Sequence, residues 1–249
     1  MSSAGAEPAG DDDDAASALP HIPLLEDADA DADAHPAYEG KPTWRGWIHA
    51  GTFPLAIAAG IVLICLAVGP AAKISSAIFA ASSVLLFGVS AVYHRFTWKP
   101  STLAIFRRID HSNIFLLIAG TYTPLAVNAL AFPKNVILLS IIWGGAALGI
   151  AFRIFWLAAP RWLYVALYIV LGWGAILYLG DLLAASVATM LLVLIGGLSY
   201  TVGALFYAFK RPNPKPGVFG FHELFHACTL IAFLCHWTAI LLLVLRPVY

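Results

Sequence analysis

The stretch FGFHELFHACTLIAFLCHWTAILLLVL, residues 219–245, decides the fold. Beyond Glu223 it carries no charged residue, and it exceeds the roughly 20 residues a helix needs to cross a bilayer. Polar side chains near a membrane helix are costly and mark a functional site by default. Here they are His222, Glu223 and His226. Two histidines four apart on a helix share one face. Two imidazoles so placed can hold one transition metal, most often zinc, with at least one further ligand from elsewhere. The competing reading is a pair of histidines hydrogen-bonded between helices.

Composition agrees with a membrane fold. The chain has 249 residues, 61% of them hydrophobic and 11% charged, and its mean hydropathy is +0.83. These values exclude an ordinary soluble domain and predict a polytopic, all-α membrane protein. Of the 14 carboxylates, 11 fall within the first 39 residues, leaving Asp110, Asp181 and Glu223 for the rest. Residues 1–42 are acidic and Ala-rich, with an Asp-Ala repeat from Asp27. Such a segment buries too little apolar surface to fold, so a disordered tail is expected there. No basic region followed by an apolar core stands at the start, so no cleaved signal peptide is expected. Cys65, Cys228 and Cys235 lie in apolar runs without the spacing of a disulfide framework or zinc knuckle. Buried small hydrophobes are the expectation for them.

Residues 43–249 read as one seven-helix domain. The spans are expected at about Trp47–Val68, Ile74–Phe96, Ile109–Leu130, Val136–Leu157, Trp162–Leu179, Ala184–Phe209 and Phe219–Leu245. Pro70, Pro100, Pro133, Pro160 and the Pro-rich run from Pro212 to Pro216 mark the breaks. Trp44, Trp47, Trp98, Trp162 and Trp237 are expected near interfaces or span ends. With the N-terminus in the cytoplasm, 11 of the 14 Lys and Arg lie inside, leaving Lys73, Lys134 and Arg246 outside. This bias predicts a cytoplasmic N-terminus and an outside C-terminus.

On that topology four metal-competent residues from three helices reach one depth. His94 ends the second span, Asp110 opens the third, and His222 and His226 open the seventh. Three histidines leave a fourth tetrahedral position open, the arrangement of a catalytic rather than a closed structural zinc. Asp110 is a candidate ligand, or a group that holds a water at the metal or orients an imidazole. Ser90, one turn from His94, either bonds that water or bonds back to its own helix. His236 lies about 15 Å along the helix from His226, too far to share the metal, and reads as an interhelical hydrogen-bonding residue. His111 points about 100° away from Asp110 and remains a weak candidate. His49 is expected at the interface, and Asp181 at the headgroups. His222-Glu223-Leu224-Phe225-His226 also fits the H-E-x-x-H pattern, in which Glu223 would be a general base. The alternative for Glu223 is a first-turn acid favoured by the helix dipole.

Three motifs carry a resemblance: Ser90-x-x-x-His94, Arg107-x-x-Asp110-x-Ser112-x-Ile114 running on to Gly120-Thr121-Tyr122-Thr123-Pro124, and His222-x-x-x-His226. Together they resemble the hemolysin III proteins, within the progestin and adipoQ receptor superfamily that includes the adiponectin receptors. The resemblance spans roughly residues 45 to 246 and leaves out the acidic leader. It implies zinc held by His94, His222 and His226, with Ser90 and Asp110 supporting a water. It implies the same inside-N, outside-C topology. Because the family varies the residue between the two histidines, it weakens the protease-like role of Glu223. Family members are associated with lipid amide hydrolysis, membrane homeostasis and cytolysis, and the resemblance does not choose among them.

The functions this leaves are of different classes. One is an intramembrane zinc hydrolase of a ceramide-like lipid amide, with Asp110 as acid/base. Another is a receptor-like or cytolytic, membrane-integrity protein whose zinc is purely structural. A pore lacks support, because no span carries a ring of charges or a polar stripe along its length. Haem suits His222 and His226 poorly, since both stand on one turn. The partners expected are membrane lipids, with no nucleic acid, and the location expected is the plasma membrane.

Overall fold

Proline and glycine set where the helices begin. The computed structural model describes residues 41–248, so most of the expected acidic tail lies outside the described residues. Helix α1 (Trp47–Leu66) starts from Gly46, whose φ is 79°. A Cβ at Gly46 would stand 2.8 Å from His94 Cβ, so glycine here serves both the left-handed turn and a close approach to α2. Helices α2 (Pro70–Arg95) and α3 (Pro100–Ala129) each open on proline, whose missing N–H costs nothing at a first helical position. Then come α4 (Lys134–Phe155), α5 (Arg161–Gly172), a 3₁₀ turn (Gly174–Tyr178), α6 (Leu179–Ala185), α7 (Val187–Phe209) and α8 (Phe221–Leu245). Ser186 caps α7 by accepting from the Thr189 N–H at 3.3 Å.

The helices close a ring in the order α1, α2, α3, α4, α5, α7, α8 and back to α1. Helices α3 and α8 also touch each other across the ring. One apolar cluster, around Phe79, Phe87 and Phe233, joins α1, α2 and α8. A second, around Phe115, Tyr168 and Phe221, joins α3, α5 and α8. The outward faces carry large exposed hydrophobics such as Ile61, Ile141, Leu148 and Val170, as a surface turned to lipid does.

Among the described residues, six segments are long and apolar enough to cross a membrane: α1, α2, α4, the Arg161–Ala185 segment, α7 and α8. The protein is therefore an integral, multi-pass, all-helical membrane protein. The expected third span falls in α3, which is not among the six although it is 30 residues long. The reason is its polar content, which is buried against its neighbours. Asn113 donates to Leu85 O, Asn128 to Pro124 O and Ser75 Oγ, and Thr121 and Thr123 to carbonyls one turn back. A helix enclosed by other helices meets less lipid than the outer ones, so it tolerates such residues. Helix α3 also begins nine residues before the expected Ile109, because Pro100 starts a helix instead of only ending a loop.

The fifth span departs from expectation in another way. It is broken between Gly172 and Leu179. The break is held by Tyr122 of α3, whose hydroxyl donates to Gly172 O at 2.7 Å and accepts from Ala175 N at 2.6 Å. Asp181, in α6 at the end of this segment, has its Oδ1 accepting from Lys134 Nζ at 2.7 Å. One placement is corrected. Trp237 is not at a span end; it sits inside α8, half-buried, with Nε1 donating to Ala59 O at 3.0 Å.

Candidate metal centre

The last turn of α2 and the first two turns of α8 meet at one end of the bundle. There His94, His222 and His226 each offer a ring nitrogen, all within 4.8 Å of one another. His94 and His226 are buried and His222 half-buried. His94 Nε2 and His222 Nε2 stand 3.2 Å apart. Two nitrogens bound tetrahedrally to zinc at their usual bond length stand about 3.3 Å apart. That spacing also suits a hydrogen bond. What a hydrogen bond between two rings leaves unexplained is the third imidazole nitrogen converging on the same point. The donor set fits a metal ion that prefers nitrogen ligands.

Asp110 stands at the edge of this cluster. Its Oδ2 lies 3.8 Å from His94 Nε2, beyond hydrogen-bond distance but close enough to act on that side of the site. Although α3 starts earlier than expected, Asp110 still comes level with His94. Ser90 is buried, and its partner is not its own helix. Its Oγ is 2.8 Å from His49 Nδ1.

His49 is the residue that sequence reasoning missed. It is 2% exposed, and its ring stacks on His226 with centroids 3.7 Å apart and 15° between planes. It thus buttresses one imidazole of the cluster and anchors Ser90. The signal was available: an ionisable side chain inside an apolar span is a functional hypothesis by default.

The acid within His222-Glu223-Leu224-Phe225-His226 faces elsewhere. Glu223 is 1% exposed, accepts from Arg45 Nε at 2.7 Å and from Gly220 N at 2.8 Å, and so ties down the start of α8. His111 turns from the cluster toward α4, where Arg153 Nη2 contacts its Nδ1, while Tyr168 donates to its carbonyl. His236 lies deeper, with Nε2 3.3 Å from Val193 O on α7. Outside the spans, Lys41 donates to Phe96 O near this end of the bundle. Burial, then the charges of Arg45 and Arg95, hold its pKa below the usual lysine value.

A cavity of about 110 Å³ runs from the cluster into the bundle. His49, Ser90, Asp110, His222 and His226 line its head, and Ile114, Leu117 and Ile118 its apolar wall. His236 lines it as well, about 15 Å along α8 from His226.

The fold and the site together define a polytopic helical membrane protein with a buried histidine triad able to hold a metal. The chain belongs to the haemolysin-III related family, whose profile matches residues 38–237. The "Hemolysin-3 homolog" of Bacillus subtilis (strain 168) is 40% identical over 139 residues, which cover 55% of this chain and 65% of that protein. "Hemolysin-3" of Bacillus cereus is 36% identical over 141 residues, 56% of this chain and 64% of that one. The matched region spans just under two thirds of each relative.

Proposed function

We propose that this protein is an intramembrane zinc amidohydrolase acting on a ceramide-like lipid amide of the plasma membrane. The observation that carries the reading is the placement of the triad. His222 and His226, clustered with His94, stand with Asp110 at the head of a cavity whose lining is largely apolar. Zinc is the ion that three imidazoles with one open position suit best. When bound it supplies Lewis acidity, polarising a carbonyl and bringing the pKa of water to about 7.

The chain's own residues do the rest. Asp110 takes a proton from the attacking water and returns it to the leaving nitrogen. Ser90, held by His49, offers a hydroxyl to the water or the carbonyl oxygen. The Ile114, Leu117 and Ile118 wall receives an acyl chain and excludes bulk water. Membrane lipids are then the natural partners. Helix α3 is counted as the seventh span, since Asn113, Thr121, Thr123 and Asn128 along it are hydrogen-bonded within the bundle. The Lys and Arg bias puts the N-terminus in the cytoplasm and the C-terminus outside.

The test is hydrolysis of a ceramide by purified protein. Asp110→Asn keeps size and hydrogen bonding but removes the base. It is expected to retain metal and fold while losing about 10²–10⁴-fold in rate. One observation favours a second reading, that the metal only staples helices in a receptor-like or cytolytic protein: the triad joins α2 to α8. Wild type that binds zinc and turns over no lipid amide establishes that reading instead.

A further inference from the structure

His236 is 8% exposed, and its two ring nitrogens are in different situations. Nε2 lies 3.3 Å from the backbone oxygen of Val193. A carbonyl oxygen only accepts, so Nε2 carries the proton and donates. In the neutral ring Nδ1 is then a lone pair, able only to accept. Nδ1 is buried with no hydrogen-bond partner. A buried acceptor left unpaired is costly. The fold nevertheless makes room for this ring: a Cβ at Gly196 would stand 2.5 Å from His236 Nε2, so only glycine on α7 admits it.

The ring also lines the cavity that His222 and His226 of the triad line. Ten residues of helix separate it from His226, or about 15 Å. Among the groups that line the cavity, which include the hydroxyls of Thr121, Thr201 and Thr229, this ring brings an acceptor with no partner far from the reactive head.

We infer that His236 is a specificity site for a hydroxylated lipid chain, taking the hydroxyl of an acyl tail about 15 Å from the group held at the triad. The required chemistry is a donor, an O–H or N–H. A methyl group, an ether or a ketone does not satisfy Nδ1. The inference rests on the reading that the cavity takes an acyl chain, and it selects among such chains.

The experiment uses the full-length protein in nanodiscs carrying a fluorescent fatty acid, displaced in turn by stearate, 12-hydroxystearate and 12-methoxystearate. The hydroxyl in the second lies at about the required distance along the chain. It is expected to bind about 3–10-fold tighter than stearate, the worth of one net hydrogen bond. The methoxy compound, which cannot donate, is expected to show no such gain. His236→Phe and the smaller His236→Leu are expected to bind stearate as wild type does and to lose the preference. Equal affinity of wild type for stearate and 12-hydroxystearate overturns the inference and leaves the acyl cavity standing. A preference shared by the methoxy compound, or kept in both variants, also overturns it. If none of the three compounds displaces the probe, the acyl reading of the cavity falls and this inference with it.

Discussion

Arg45 Nε donates to Glu223 Oε1 at 2.7 Å, joining the turn before α1 to the first turn of α8, with the carboxylate 1% exposed. This pair decides what the acid between His222 and His226 is for. Both its oxygens are engaged, one by Arg45 and one by Gly220 N. It is a structural group.

Glu223→Gln is therefore expected to keep the metal and, where it folds, the hydrolysis of a lipid amide. Its cost falls on stability, because the buried Arg45–Glu223 pair loses its negative charge. Removing one partner of a buried pair typically costs about 3–5 kcal/mol, and the retained amide oxygen places this variant toward the lower end. Thermal unfolding in detergent, with metal analysis of the surviving protein, measures both effects. Wild-type stability with abolished hydrolysis would return Glu223 to the role of general base.

The purified protein should carry about one equivalent of metal, identified as zinc by elemental analysis. His222→Ala and His226→Ala should each lose most of it. His236→Ala should retain it, since that ring is bonded to Val193 O and stands well down the helix. Equal loss of metal in His236→Ala and His226→Ala would move the site.

His49 should tune the metal without touching it. His49→Phe keeps a flat ring against His226 but drops the bond to Ser90. Groups that orient metal ligands are typically worth about 10–100-fold in affinity, and the retained stack points to the lower figure. Chelator competition measures it. Combining His49→Phe with Ser90→Ala should cost less than the sum of the single changes, because both remove the same hydrogen bond. Strict additivity would show that the two side chains act independently.

A reporter fused after Tyr249 should be active only on the outer face. That outcome requires α3 to cross the membrane as the other long helices do. Activity in the cytoplasm would mean an even number of crossings.

Much of this was legible because membrane helices advertise themselves one at a time. Apolar runs locate α1, α2, α4, α7 and α8 to within a few residues, since each must satisfy its own backbone in lipid. The triad was legible for a related reason. His222 and His226 share a face by spacing alone, and charge bias puts His94 at their depth. What stayed hidden depends on contacts between helices. Nothing local to α1 tells that His49 stacks on His226, and nothing local to α8 tells that Trp237 finds Ala59 O. Nothing local to Asp181 tells that Lys134 pairs with it. The bend after Gly172 was hidden because its residues remain apolar throughout. The start of α3 was hidden because Arg107 and Arg108 resemble a loop, although they lie within the helix.

The bend in the fifth span has a consequence for how the molecule is assembled. Gly172 O and Ala175 N are held by an oxygen that belongs to Tyr122, some fifty positions earlier in the chain. In lipid each of those peptide groups would cost several kcal/mol if left alone. Chains emerge N-terminus first. The tyrosine is thus delivered before the segment that depends on it, like a hinge pin set in the frame before the door is hung. Reversing that order, as a circular permutation beginning after α3 would, sends the bent segment into the bilayer with nothing to close it.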